Sequence, residues 1–392
     1  MNKLITGILS LAVSVSAAAQ GGYSPVLQQI EANNTSLIAL QREMEAQKMG
    51  NRTGILPTNP EAEFNYLWGN RLTPGNRTDF SVKQVIDFPT AYSYRSKIAN
   101  LQNANTEIAY KSGRIDLLLA AKQIYIELIH YNALAREYSL RLEAASRIAS
   151  TYQAKMEKGD ANAVEYNKAR LNLATVQAEM ISINSKRKEL QMKLTSLNGN
   201  KEILVSETDY PINLLPDNFA EWYAVTESNS PTLQHLSRQI EIGQQQIKLN
   251  RALGLPKISA GYMSEKVVGE HFQGISLGVS IPLWENKNRV KQAKAQLKAT
   301  EATLEDNKIQ FLNHLQSLHT RALALKQNVA DLKLSLEQNN NMSLLKKALD
   351  KGEISLLTYL LETEFYYQSV EKVLEAERDF ELTKAELYAV EL

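Results

Sequence analysis

Lys257-Ile258-Ser259-Ala260-Gly261-Tyr262, followed by Gly274-Ile275-Ser276-Leu277-Gly278-Val279-Ser280-Ile281, decides how this chain is read. Ile258, Ala260 and Tyr262 alternate with Lys257, Ser259 and Gly261. Ile275, Leu277, Val279, Ile281 and Leu283 alternate with Ser276, Gly278, Ser280 and Pro282. A period of two puts the apolar side chains on one face of a strand and the small or polar ones on the other. The pattern also occurs earlier. Ala62, Phe64, Tyr66 and Trp68 oppose Glu61, Glu63, Asn65 and Gly69, and Phe80, Val82, Ile86 and Phe88 oppose Ser81, Lys83 and Asp87, across a polar loop at 70–77. Alternation over about 9–11 residues is the length of a tilted transmembrane β-strand, and Trp68, Phe88 and Trp284 near the strand ends suit an interfacial girdle. Two soluble hairpins packed on helices would alternate in the same way, so the flanking segments have to decide.

Those flanks read as very long helices. The stretch 92–158 has no Pro and a single Gly, Gly113. Its stripe Leu128, Tyr131, Ala135, Tyr138, Leu142, Ala145, Ala149, Tyr152, Met156 steps by three and four without a break. Phe311, Leu315, Leu318, Ala322, Leu325, Val329, Leu332 and Leu336 do the same later. A 3.5-residue period held this long is a coiled-coil seam. A helix of about 67 residues reaches about 100 Å, too long for a compact α+β core. Shorter partner helices are expected at 24–50 and 161–197. The expected fold class is mainly α with a small β part: two tandem repeats of long coiled-coil helices, with hairpins inserted in a membrane. Four strands cannot close a barrel and open edges are not tolerated in lipid, so the strands require an oligomer, and three chains supply twelve.

The chain is also written twice. Asn33, Leu37, Pro60 and Tyr66 recur 196 positions later as Asn229, Leu233, Pro256 and Tyr262; Ile86 recurs as Ile281 and Lys158-Gly159 as Lys351-Gly352. Each half reads helix, Pro, paired strands, long helix, Lys-Gly, helix, as a tandem repeat would. Repeat 1 is assigned to 20–205, with its hairpin at about 60–88 and its long helix at about 92–158. A linker follows at 206–217. Repeat 2 is assigned to 218–392, with its hairpin at about 256–283 and its long helix at about 285–351. Residues 1–19 read as a secretory signal: Lys3, an apolar run from Leu4 to Val15, then Ala17-Ala18-Ala19 as the cleavage site.

Composition excludes several function classes. The 392 residues carry 44 Lys and Arg against 43 Asp and Glu, which leaves no basic excess for nucleic acid. There is no cysteine, hence no disulfide framework, thiolate metal site or lipid-bearing Cys. Mean hydropathy is −0.32, and beyond the leader no segment has the roughly 18 apolar residues of a transmembrane helix. Gly274-Ile275-Ser276-Leu277-Gly278 matches the G-x-S-x-G elbow of hydrolases, but it sits inside an alternating strand rather than at a strand-to-helix turn. His314 and His319 are five apart, not the three or four that share a helix face, and no H-E-x-x-H occurs. No catalytic residue, metal site or cofactor is expected.

The pattern resembles the TolC-like outer membrane factors (outer membrane efflux proteins), the exit ducts of tripartite efflux pumps and type I secretion. The most specific element is the helix-tip turn, G-x-x-S-x-x-[DE]-V-L-x-A in that family. Gly159-Asp160-Ala161-Asn162-Ala163-Val164-Glu165-Tyr166-Asn167-Lys168-Ala169 keeps the Gly, the acid and the Ala; Gly352-Glu353-Ile354-Ser355-Leu356-Leu357-Thr358 keeps Gly and Ser but has Thr where the acid is expected. A second element is the strand-to-helix passage, Phe88-Pro89 with Arg95 and Leu283-Trp284 with Arg289. The resemblance implies a homotrimer with a twelve-stranded outer-membrane β-barrel, long helices forming a periplasmic α-barrel in a Gram-negative bacterium, and passive export. Implied partners are a periplasmic adaptor, a proton-driven inner-membrane transporter and outer-membrane lipid. The length and the missing lipid-bearing Cys lean the reading toward heavy-metal rather than drug export.

Two other functions share some of these features: a periplasmic adaptor, which would carry one helical hairpin between halves of a β-domain, and a structural coiled-coil stalk. On the duct reading, Phe64, Tyr66, Leu277 and Val279 face lipid, and Lys83, Ser276 and Gly278 face the lumen. Lys158, Gly159, Asp160, Lys351, Gly352 and Glu353 form the tip turns where an adaptor docks. Glu165, Arg170 and Asp350 are gate candidates, with the carboxylates pinning the mouth shut through Lys158, Lys351 or Arg170. The same acids are also what helix starts favour electrostatically.

Overall fold

The chain alternates helices and hairpins in an order that is itself repeated. A computed structural model describes residues 23–69, 75–211 and 214–392. The leader at 1–19, most of the loop at 70–77 and two residues of the 206–217 linker lie outside the described residues. Repeat 1 runs α1 (Ser24–Asn33), α2 (Thr35–Gly50), β1 (Glu61–Leu67), β2 (Arg77–Ile86), α3 (Thr90–Lys158) and α4 (Ala163–Leu197). Repeat 2 runs α5 (Phe219–Asn229), α6 (Pro231–Ala252), β3 (Lys257–Val267), β4 (Glu270–Ser280), α7 (Arg289–Gln338), α8 (Met342–Asp350) and α9 (Leu356–Leu387).

Two helices expected as single runs are broken. The helix expected at 24–50 stops at Asn34, whose backbone is extended. The buried Asn34 side chain donates to the Leu197 carbonyl at 2.6 Å. Repeat 2 breaks at the matching place: Ser230 is extended and accepts from Leu233 N–H, with Pro231 at the first helical position. The second correction has no counterpart in repeat 1. The long helix expected at 285–351 is α7 and α8, separated at Asn339–Asn341. Asn339 donates its side chain to Ser335 O at 2.8 Å, and Asn340 accepts from Met342 N–H at 3.3 Å. Asparagine side chains compete with the helix ladder for backbone groups, and three in a row end it without Pro or Gly.

The chain forms two compact units that cut across the repeats. One takes the chain up to Thr35, Ile115–Trp222 and His314–Leu392; the other takes Ser36–Arg114 and Tyr223–Asn313. The first is helical. Its core joins Tyr23, Leu27 and Ile30 of the α1 region to Leu118, Tyr125, Ile126 and Ile129 of α3, Leu190 and Leu194 of α4, and Ala385 of α9. Within that core Glu381 pairs with Lys384 at 2.5 Å and accepts from the Tyr23 hydroxyl at 3.2 Å, while Lys122 lies over the Tyr23 ring. The α3 stripe read from the sequence is its inward face, with Leu128, Ala135, Ala145, Ala149 and Tyr152 all buried.

His130 in α3 is buried and donates from Nδ1 to the Leu374 carbonyl at 3.2 Å, which sets its neutral tautomer. Burial first, and the Arg378 charge second, push its pKa down to about 4. The unfolded chain takes up a proton near pH 6.5 that the folded chain refuses until about pH 4. Stability is therefore complete above that window and falls as pH drops through it, by at most about 3 kcal/mol. Thermal midpoints of the wild type between pH 7 and 4 should show this loss. His130→Gln should flatten it, and a parallel fall in both proteins would assign the acid sensitivity to other groups.

The second unit holds the β part and a small helical core of Ala91, Ile98, Leu249 and Ala252. Its four strands form one antiparallel sheet in the order β1-β2-β3-β4, so β2–β3 pairing joins the hairpins of the two repeats.

Candidate functional site

The sheet register determines which side chains share a face. Glu61, Lys83, Gly261 and Ser276 lie in one transverse row, and Phe64, Phe80, Ser264 and Gln273 in another. Directly opposed residues point the same way, so Ala62, Phe64, Tyr66, Phe80, Val82, Ile86, Ile258, Ala260, Tyr262, Ile275, Leu277 and Val279 share one largely apolar face, interrupted by Gln84, Ser264 and Gln273 and ending in Thr78, Lys266 and His271. It is open: Ile275 is 82% exposed, Leu277 78% and Phe64 66%. Lys83, Ser276 and Gly278 are on the other face, with Ser81, Ser259 and Gly261. A side chain on Gly261 would come 2.5 Å from the Val82 carbonyl, so strand β3 approaches β2 closely there. Ser276 lies inside β4 and not on a strand-to-helix elbow, so the hydrolase motif has no such geometry.

The two tip turns are built alike. Gly159 has φ +80° and Gly352 φ +75°, a region that side chains with a Cβ rarely occupy. In the first turn Gly159 N–H reaches Met156 O and Asp160 N–H reaches Lys155 O; in the second, Gly352 N–H reaches Leu349 O and Glu353 N–H reaches Ala348 O. Both are Schellman stops. Three residues after each Gly a new helix is capped. Asn162 accepts from Glu165 N–H at 2.9 Å while Glu165 accepts from Asn162 N–H at 3.2 Å, a complete capping box. Ser355 accepts from Thr358 N–H at 3.1 Å, so Thr358 occupies the acid's place in the cap without a carboxylate. The spacing Gly, then Ser or Asn, then acid is thus a stop signal followed directly by a start signal. Buried Ala149, Tyr152, Ala169 and Leu356 hold the two tips together.

Among the described residues the charged groups of the tips have few ionic partners within one chain. Glu353 pairs with Lys351 at 3.8 Å on the exposed turn. Glu165 is engaged in its cap, and Arg170 lies over the Tyr166 ring at 5.7 Å. Among the described residues no ion pair joins Asp160, Asp350 or Glu165 to Lys158 or Arg170.

Sequence reasoning missed a polar cluster in the helical unit. Arg141 of α3, 5% exposed, pairs with Glu371 of α9, and its guanidinium sits between the rings of Tyr138 and Tyr367 at 4.4 and 4.3 Å. Arg141 also donates to the Tyr367 carbonyl at 3.1 Å, and the Tyr138 hydroxyl donates to Glu371 at 2.9 Å. Burial first, then Glu371, pushes the Tyr138 hydroxyl up to about 12. A signal existed: Tyr138 and Arg141 are three apart on the seam, Tyr367 and Glu371 four apart on another helix. The 230 residues between Arg141 and Glu371 hid the pairing. Among the described residues no group of three or more His, Asp or Glu could hold a metal ion, and no helix is long and apolar enough to cross a membrane.

The described residues thus carry long helices with capped turns and one amphipathic sheet whose apolar side chains are exposed. Residues 222–390 match the outer membrane efflux protein family. No curated protein matches the sequence. Among solved structures, CusC, described for folding and transmembrane channel formation, is similar at TM-score 0.78 and 14% identity, over 94% of this chain and 91% of that one. The CmeC outer membrane channel of Campylobacter jejuni is similar at TM-score 0.76 and 16% identity, over 94% and 84%. The open state of the MtrE outer membrane channel of Neisseria gonorrhoeae is similar at TM-score 0.71 and 16% identity, over 93% and 88%. The family match is thus confined to 222–390, and over 94% of its length the chain shares the fold of these solved structures.

Proposed function

We propose that this chain is the outer-membrane exit duct of a tripartite efflux or type I secretion system, a passive channel that works as a homotrimer. The observation that carries the reading is the largely apolar face shared by all four strands, exposed on a sheet with two free edges. In water such a face is an aggregation hazard; in lipid it is the outer wall of a barrel. The tip turns Lys158–Asp160 and Lys351–Glu353 are the docking ends for a periplasmic adaptor. Val164 and Leu357 support this, since they stand exposed at equivalent places two residues after each cap. An inner-membrane transporter, proton-driven, completes the assembly, and heavy metals are the favoured cargo over drugs. Mass measurement of detergent-extracted outer-membrane protein tests the core of the reading. A trimer mass is expected, and a stable monomer with intact strand content would overturn it.

Asp350 and Glu353 gather threefold at the tunnel mouth on this reading. Neutralising both, as Asp350→Asn with Glu353→Gln, should raise conductance in planar bilayers and weaken cation preference. Each exposed pair contributes at most about 1 kcal/mol, but three copies act together. Unchanged amplitude and selectivity would make these acids helix-end features and place the constriction elsewhere. Glu165→Gln, which can keep the cap, should leave conductance as it is.

A further inference from the structure

We propose that the free edges β1 and β4 join between copies of this chain in one register, with Asn65 of one copy opposite Ser276 of the next. This rests on the trimeric reading and adds to it the seam that closes the barrel. Each strand is antiparallel to its neighbour in the order β1-β2-β3-β4, so β1 and β4 themselves run in opposite directions. A second copy's β1 therefore continues the antiparallel order beside β4. In lipid both edges need such a partner for their outward N–H and C=O groups. No other part of this chain offers a strand for them among the described residues.

Three constraints select the register. The first is parity. Ser276 shares a face with Glu61, Lys83 and Gly261, so across the seam it must meet an odd-numbered residue of β1, or the apolar face would switch sides. The second is tilt. The row that starts at Glu61, the first residue of β1, reaches β4 at Ser276, four residues before its end at Ser280. The strand feet thus already step in one direction across the protomer. An offset of about four residues at each seam tilts twelve strands by about 35°, about six by about 46° and about two by about 19°; barrels tilt by about 35–45°. The third is strand length. An offset of four sets all of Glu61–Leu67 against 274–280, wholly within β4. An offset of six would set Ala62 and Glu61 against Ile281 and Pro282, beyond β4, and Pro282 has no N–H to give.

In the selected register Phe64 meets Leu277, Ala62 meets Val279 and Tyr66 meets Ile275, so the lipid face crosses the seam unbroken. On the lumen side Glu63 meets Gly278 and Glu61 meets Ser280. Neither opposing side chain carries a charge; within the chain Glu61 faces Lys83 and Glu63 faces Ser81, so Glu63 is the carboxylate with no directly opposed cation, three times around the inner wall.

The chain has no cysteine of its own, which makes the test direct. Ser276→Cys, an exchange of oxygen for sulfur, is combined in the full chain with Asn65→Cys, Glu63→Cys or Leu67→Cys. The three double variants are oxidised in outer membranes and run without reductant. Directly opposed residues lie about 4.5–5.5 Å apart, within disulfide range, whereas a slip of two residues puts them at about 7–8 Å. The Asn65/Ser276 pair should give several-fold more covalent trimer than either of the others. Dominant crosslinking through Leu67 or Glu63 overturns the register and leaves the trimer standing. No crosslink in a protein of trimer mass overturns the β1–β4 seam. A monomer mass in detergent overturns the trimeric reading itself.

Discussion

Leu277→Arg removes most of the assembled protein from the outer membrane, and Ser276→Arg leaves it nearly at wild-type level. The two residues are neighbours on β4 and receive the same side chain, so the added charge enters the chain at nearly the same point. Leu277 is 78% exposed on the face shared with Ile275, Val279, Phe64 and Tyr262. If that face meets lipid, an arginine costs about 2–4 kcal/mol near the bilayer midplane, entered once per copy. Within its own chain Ser276 lies opposite Gly261, in a row where the nearest large side chain is Lys83, two strands away, and across the proposed seam it meets Asn65. An arginine there has room and water. The measurement is trimer abundance by heat-dependent migration from the membrane fraction. Equal loss from both variants would place the sheet outside the membrane or reverse its faces.

Arg141→Met has the second large expected effect, a loss of about 3 kcal/mol or more from the helical unit. It leaves the Glu371 carboxylate partly buried without its cation, the configuration in which breaking an ion pair is most destabilising. It also removes a guanidinium held between two tyrosine rings, a contact that contributes up to about 2 kcal/mol when desolvated. Arg141→Met with Glu371→Gln should recover a large part of the loss, because the stranded charge goes with it. The thermal midpoint of the helical circular-dichroism signal in detergent reports both variants. A single variant that melts with the wild type would show that the pair adds no net stability. Arg141 and Glu371 come from different repeats, so the same comparison measures how firmly α3 and α9 are held together.

The secondary structure was legible because two periodicities are written plainly. Ile275 to Ile281 could be read as a strand with a chosen inner face, since period two admits no other regular backbone. The long α3 could be read because nothing between Thr90 and Lys158 interrupts a helix. The break at Asn339–Asn341 was not legible by the same rule: it depends on side chains competing with the helix ladder, a local contest that Pro and Gly do not report. The tip turns lay between these cases. The Gly positions and their left-handed backbone follow from sequence. Which carboxylate caps and which stands free had to be seen in the geometry, and Glu165 turned out to be a cap.

What the sequence determined by itself was what short-range pattern carries: strand alternation, helix seams, and stop and start signals at the tips. These depend on residues a few positions apart, whose relative placement the backbone geometry dictates. Tertiary structure alone decided the long-range pairings. It set Lys83, Gly261 and Ser276 in one row, joined the two hairpins through β2 and β3, and brought Arg141 to Glu371 across 230 residues. It also divided the chain into units that cross the repeat boundary. Each of these requires chain segments to find one another in space, and the free energy that selects the partner is spread over whole buried faces rather than written in any one segment.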